Sequence, residues 1–228
     1  MAASNPIVFL FDVDNTLLNN DRIAEDLQRH MTVAFGADRQ NRYWVIFEEL
    51  REQLGYTDYL GALQRYRIEN PRDPHLLEIS SYLIEYPFAN RLYPESIDVL
   101  EQAQRWGTTV LLTDGDAVFQ PRKLKRSGLA ETVDGRVLIY IHKEQELADV
   151  ERRYPAEHYV LIDDKIRILT AAKKVWGNRL TTVFPRQGRY ALDAKVVAAN
   201  PPADLTIERI GDFQKCTLQE LLAAGRKP

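Results

Sequence analysis

Two aspartates one residue apart, Asp12 and Asp14, close a run of five apolar residues, Ile7-Val8-Phe9-Leu10-Phe11, and are followed by Thr16. Two carboxylates this close repel unless a cation or a shared proton lies between them. Asp and Asn also make ordinary turns, so the segment alone has a plainer reading as a strand end and a turn. Three further apolar runs end in comparable fashion. Val110-Leu111-Leu112 leads into Thr113, Val137 to Ile141 into His142-Lys143, and Tyr159 to Ile162 into Asp163-Asp164. Together these residue types suit phosphoryl transfer. Carboxylates hold Mg²⁺ through hard oxygen ligands. A lysine and a hydroxyl bind phosphate oxygens, one carboxylate attacks phosphorus, and another moves a proton.

Such residues meet only if the elements carrying them end on one edge. The run Ile7–Phe11 reads as a strand buried on both faces, as at the centre of a parallel sheet. From Pro94 onward, strands alternate with helices: a helix to Gly107, a strand over 108–112, a helix over 117–127, and a strand over 137–141. A helix over 144–153, a strand over 159–162 and a helix from Lys165 to Trp176 come next, then weaker strands over 180–184 and 204–207 and a closing helix over 212–223. This alternation implies βαβ units and a parallel sheet whose strand ends share one edge. Between Asn20 and Tyr86 the periodicity is helical throughout. Ile23, Leu27, Met31 and Phe35 share one face, with Asn20 or Asp21 as cap and Gly36 as stop. Three more helices are expected, around Tyr43–Leu54, from Thr57 to Arg67, and around Leu76–Ile84. The expected organisation is a catalytic core of residues 1–18 and 89–228 interrupted by a helical insert or lid of residues 19–88.

Bulk properties narrow the function class. The chain has 228 residues, 45% hydrophobic and 28% charged, as in an ordinary globular protein. Its 30 Lys plus Arg against 33 Asp plus Glu leave a net charge of −3. No polybasic surface for nucleic acid or a membrane is expected. The one cysteine, Cys216, excludes an internal disulfide and fits a reducing compartment. Met1 to Pro6 lack the pattern of a signal peptide, no apolar run reaches membrane-spanning length, and a cytoplasmic location is expected. Arg226-Lys227-Pro228 reads as a frayed tail. The pattern does not fix an oligomeric state.

With these motifs in order, the sequence resembles the haloacid dehalogenase (HAD) superfamily of aspartate-nucleophile hydrolases. The DxDx[TV] motif is Asp12-Val13-Asp14-Asn15-Thr16, and the Ser/Thr motif is Thr113. The lysine motif is best matched by Lys143, with Lys123 and Lys125 as competitors, and the acidic motif is Asp163-Asp164. The resemblance implies an α/β fold, a Rossmann-like three-layer parallel-sheet core with an inserted all-helical cap. It implies Asp12 as nucleophile and Asp14 as the acid that protonates the leaving oxygen and then activates water. Asp12, the backbone carbonyl of Asp14, and Asp163 would hold Mg²⁺, with Asp164 as a ligand or supporting partner. Thr113 would bond the phosphoryl group and Lys143 would neutralise charge. Many members have Gly at the position of Asn15. Asp163-Asp164 is a compact form of the acidic motif, and taken alone would read as a helix N-cap pair.

Members that cleave carbon–halogen bonds lack an acid at the position of Asp14, because halide leaves without a proton. The expected function is therefore a Mg²⁺-dependent phosphomonoesterase acting on a small phosphorylated metabolite. The segment Leu54 to Leu63, with Asn15, is similar to pyrimidine nucleotidase-like members, which makes a nucleoside monophosphate one candidate. A phosphomutase, or a non-catalytic domain that binds phosphate or metal, are the alternatives.

Overall fold

A computed structural model of the chain describes residues 5–226. Met1–Ser4, part of the segment judged against a signal peptide, and Lys227-Pro228 of the expected tail lie outside these residues. Six strands form one parallel sheet: β1 (Asn5–Phe11), β2 (Thr108–Asp114), β3 (Val137–Tyr140), β4 (Ala156–Ile162), β5 (Leu180–Pro185) and β6 (Leu205–Ile207), in the order β3-β2-β1-β4-β5-β6. The chain builds outward from β1 to β3, then returns to the other side of β1 as β4. In open α/β sheets, such a reversal leaves a crevice outside the carboxyl ends of the two flanking strands. Here those ends carry Asp12 and Asp163.

The alternation within β1 makes three layers. Ile7, Phe9 and Phe11 belong to one buried cluster, and Val8 and Leu10 to another. The first face packs on α5 (Ser96–Trp106), α6 (Phe119–Arg126), α7 (Leu129–Thr132) and the C-terminal α12 (Leu218–Ala224). The second packs on α8 (Leu147–Arg153) and α9 (Ile166–Trp176). Between β5 and β6 lie two short helices, α10 (Gly188–Leu192) and α11 (Ala194–Ala198), in a stretch with no clear sequence periodicity.

Four helices fill the interval after β1: α1 (Asn20–Phe35), α2 (Ala37–Leu54), α3 (Tyr59–Glu69) and α4 (Leu76–Glu85). The chain enters and leaves this block side by side. Asn19 N donates to Arg91 O at 2.7 Å, and Tyr93 N to Leu17 O at 2.9 Å. An aromatic run Trp44–Phe47–Tyr59–Phe119–Phe88 carries its core onto α6, with ring centroids 4.7 to 5.5 Å apart. No helix of the described residues is long and apolar enough to cross a membrane.

Several boundaries differ from the sequence expectation. The α1 cap is Asn19, whose Oδ1 accepts from Arg22 N at 2.9 Å; Asn20 and Asp21 turn to the site instead. The helix expected from Pro94 begins at Ser96, because Glu95 takes a left-handed φ of 68°. The helix expected over 144–153 begins at Leu147, after a 3₁₀ turn over Lys143–Gln145. The closing helix is split into a 3₁₀ segment, Ile210–Lys215, and α12. Thr217 and Glu220 cap each other's backbone N–H there, which starts a new helix.

The 3₁₀ segment contributes one core anchor. Phe213 is fully buried, with its ring 5.7 Å from Phe11, 6.0 Å from Trp106 and 6.4 Å from Phe9. Phe213→Ala is expected to cost about 3–5 kcal/mol of unfolding free energy in a urea titration. A loss below about 1 kcal/mol would show that this end of the chain is not part of the core.

Candidate active site

The residues after β1 fold back sharply. Val13 O accepts from Leu17 N and Leu18 N, both at 2.9 Å, and Asn15 takes a left-handed φ of 64°. Asparagine tolerates that region better than most residues, which explains how it stands where glycine is common. This turn aims Asp12 and Asp14 in different directions.

Asp12 joins Asp163 and Asp164 at the crevice. All three are buried, and one carboxylate oxygen from each lies within 4.8 Å of the others. Lys143, also buried, enters from the 3₁₀ turn after β3. Its Nζ bonds Asp12 Oδ1 closely, lies 2.6 Å from Asp163 Oδ2, and donates to Leu112 O at 3.2 Å. Asp12 and Leu112 thus accept hydrogen bonds from the ammonium, and Asp163 meets it as an ion pair. Burial works against the charged form of Lys143, but Asp12, then Asp163 and Asp114, outweigh it and raise its pKa. Burial pushes Asp163 up to about 6, with repulsion from Asp12 adding to it, while Lys143 pulls the other way. Asp164 is raised further, first by burial and then by Asp12.

This acidic group has oxygens to spare. Asp12 Oδ2 and both carboxylate oxygens of Asp164 are buried without a hydrogen-bond partner. Buried polar atoms are ordinarily satisfied. Three carboxylates around one ammonium, with hard oxygens facing nothing, fit a divalent cation with oxygen preference such as Mg²⁺. Thr16 fixes the geometry: its hydroxyl accepts from Asp164 N at 3.0 Å, tying the first loop to the fourth. Asp163 Oδ1 accepts from Lys165 N at 2.8 Å. The two acids therefore do not cap α9 as a pair; one serves its backbone and the other stays free.

Asp14 stands apart from this cluster. Its two carboxylate oxygens accept from Lys123 Nζ at 2.7 and 2.9 Å, and Lys123 also reaches Asn20 Oδ1 at 3.2 Å. The competition among lysines thus resolves by place. Lys143 lies on Asp12, Lys123 is buried on Asp14, and Lys125 is exposed on α6. Thr113 is the last residue but one of β2, beside the same cavity, and its Oγ1 accepts from Gln120 Nε2 at 2.9 Å. Asp114 was not singled out from sequence, yet its Oδ1 accepts from Lys143 N at 2.7 Å and holds that turn in place.

The cavity is small, about 30 Å³. Its floor is Asp12, Asp14 and Thr113, and one wall is Gly55-Tyr56-Thr57, after α2. The other wall is Lys165, Arg189 and Tyr190. Arg189 and Tyr190 lie on α10 and carried no periodic or motif signal in the sequence. Among the aromatic and basic residues of the helical block, Tyr43, Tyr59 and Tyr66 are buried packing, whereas Tyr56 faces the cavity.

The sequence model of the haloacid dehalogenase-like hydrolases matches residues 8–175. That span includes Asp12, Asp14, Thr113, Lys143, Asp163 and Asp164. No curated protein matches the chain. A solved structure from Burkholderia xenovorans LB400, named only to the level of a haloacid dehalogenase-like hydrolase, is 62% identical. The match covers 92% of this chain and 98% of that one, with a TM-score of 0.89. A haloacid dehalogenase-like family hydrolase from Xanthomonas campestris shares the fold at 17% identity and a TM-score of 0.64, covering 99% of this chain and 96% of that one. The L-2-haloacid dehalogenase from Xanthobacter autotrophicus, solved with chloropropionic acid covalently bound, does so at 15% identity and 0.60, covering 91% and 96%.

The unpartnered oxygens generate a prediction that does not depend on turnover. Saturating Mg²⁺ is expected to raise the melting temperature by about 5–10 °C over the protein in EDTA. Asp164→Asn replaces a buried carboxyl group whose oxygens have no partner. It is expected to melt no lower than wild type in EDTA and to lose most of the Mg²⁺ shift. An equal shift in both proteins would place the cation elsewhere.

Proposed function

The chain belongs to the haloacid dehalogenase-like hydrolase family, and from that premise we propose that it is a Mg²⁺-dependent phosphomonoesterase working through an aspartyl-phosphate on Asp12. One observation carries the reading: the buried set Asp12, Asp163 and Asp164, with carboxylate oxygens that nothing in the protein satisfies. A phosphate ester brings a dianion to a carboxylate nucleophile. That encounter needs positive charge beyond one lysine. A haloacid brings a single negative charge and releases halide without a proton, so it requires neither the extra cation nor Asp14.

When bound, Mg²⁺ would offset charge on the phosphoryl oxygens and the nucleophile. Asp12, Asp163 and Asp164 would hold it, with the Asp14 backbone carbonyl as the further ligand that the resemblance implies. Lys143 restrains Asp12 through Oδ1, which holds the nucleophilic carboxylate in place. The Asp12 O–P bond forms as the ester P–O bond breaks, and Asp14 gives a proton to the departing oxygen. Water then attacks phosphorus, its proton goes to Asp14, and the Asp12 O–P bond breaks. Thr113 donates its hydroxyl to the phosphoryl group. Asp14 must exchange its contact with Lys123 for the leaving oxygen, a turn that substrate binding would prompt. The helical block, as a cap of residues 19–88, supplies Tyr56 and Thr57 above the cavity and keeps bulk water out.

Phosphate release from p-nitrophenyl phosphate is expected with Mg²⁺ and not with EDTA. Asp12→Asn should lower it by roughly a thousandfold or more. Chloride release from 2-chloropropionate without phosphate release would overturn the reading, as would phosphatase activity that survives both EDTA and Asp12→Asn.

A further inference from the structure

The mouth of the cavity is built around Tyr190. Arg189 Cζ lies 5.0 Å from the centroid of its ring, and Lys165 Nζ lies 5.4 Å from it. The Tyr190 hydroxyl oxygen accepts from Arg51 Nη1 at 3.3 Å and from Arg189 Nη2 at 3.4 Å. Three cations from three parts of the chain thus converge on one neutral ring. Arg51 comes from α2, Lys165 from the loop after β4, and Arg189 from α10. Cations held this close repel one another unless anions sit among them. Arg51 has Glu48, and Arg189 Nε lies 3.5 Å from Asp21 Oδ1. Lys165 has no ion-pair partner within 4 Å among the described residues, although it faces the cavity.

The segment carrying Arg189 and Tyr190 is pressed firmly against the first loop. Gln187 Nε2 donates to Thr16 O at 2.7 Å and to Asn15 O at 3.2 Å. Arg189 N donates to Asp21 Oδ2 at 2.8 Å. Gly188 has a φ of 77°, and a Cβ there would lie 2.5 Å from that of Asn15. Only glycine permits this approach. The cationic rim therefore has a fixed position relative to Asp12 and Asp14, in the wall of the same cavity.

We propose that Arg189 and Lys165, gathered with Arg51 around Tyr190, form a second anion subsite that binds a carboxylate or phosphate carried by the leaving group. The substrate class is then phosphomonoesters of small alcohols bearing another anionic group, in preference to esters of neutral nucleosides. The inference rests on the phosphatase reading for the placement of the first phosphate. A guanidinium suits an anionic oxygen pair through parallel N–H donors. Arg189 keeps 42% of its side chain exposed, which leaves its donors accessible and its contribution moderate.

Calorimetric titration with three probes tests this in the Mg²⁺-saturated protein: propylphosphonate, 3-phosphonopropionate and propane-1,3-bisphosphonate. At least one doubly anionic probe should bind about tenfold more tightly than propylphosphonate, the size of one charge-assisted hydrogen bond. The tighter of the two identifies the second group. Arg189→Gln should bring the probes within about twofold, and Arg189→Lys should keep most of the preference. Near-unchanged melting temperatures would show that both variants fold. Equal affinity for all three probes in wild type overturns the proposal, as does binding of none, or a preference that survives Arg189→Gln combined with Lys165→Gln. Turnover of p-nitrophenyl phosphate, which has no second anion, reports separately on the phosphatase reading.

Discussion

A buried ammonium among buried carboxylates is the constraint on which the rest depends. Lys143 is almost wholly shielded from solvent, yet stays charged because Asp12 and the Leu112 carbonyl accept its protons and Asp163 lies against it as an ion pair. Removing either sign would strand the other in a medium of low polarity. The sheet makes the arrangement possible. The parallel register pairs Phe11 with Ile162, so β1 and β4 end at one level and set Asp12 beside Asp163, while β2, paired with Phe11 at Leu111, runs on to Asp114. The bonds Thr16 to Asp164 and Asp114 to Lys143 then lock the loops beyond the strands. The lysine does not exhaust the acids. The oxygens left over are the ones the proposed cation would take.

A second pair, Asp14 with Lys123, has a different character. It joins the first loop to α6, and through Asn20 to the start of the helical block. Asp14 is also partly exposed, so it can turn without opening the core. The two carboxylates of the DxD motif are thus separated by environment. One is fixed by a lysine that cannot move away, and the other is held by a contact it can exchange. That is the division of labour expected of a nucleophile and a proton carrier. The helical block meets Lys123 through Asn20.

Much of this was legible in the residues because buried parallel strands are written as continuous apolar runs. Ile7–Phe11, Val110–Leu112 and Tyr159–Ile162 end where their polar residues begin; the structure places Asp12 and Asp163 just past the ends of β1 and β4, and Thr113 within the last two residues of β2, which runs on to Asp114. Lys143 is favoured over Lys123 in the sequence because it follows an apolar run while Lys123 falls within a helix, and the structure buries both lysines beside an aspartate. Its turn is a 3₁₀ segment and not a strand end, because β3 stops at Tyr140. The closing helix was read as one piece because its apolar spacing runs through Cys216, although Thr217 and Glu220 form a legible capping box. The wall built by Arg189 and Tyr190 had no such signature. Residues 188–198 form two five-residue helices without a long apolar face, and their approach to Asn15 is a long-range contact that no local pattern encodes.

The central claim is that phosphorus becomes covalently attached to Asp12. The direct measurement is mass spectrometry of the Asp14→Asn protein, mixed with Mg²⁺ and p-nitrophenyl phosphate, whose leaving group departs without a proton, and quenched in acid within one turnover. Without the Asp14 carboxylate to activate water, the phosphoryl-enzyme should accumulate, with the added phosphate on the peptide that contains Asp12. Phosphate release at the wild-type rate with no modified peptide, or phosphate found on any other residue, would contradict the account.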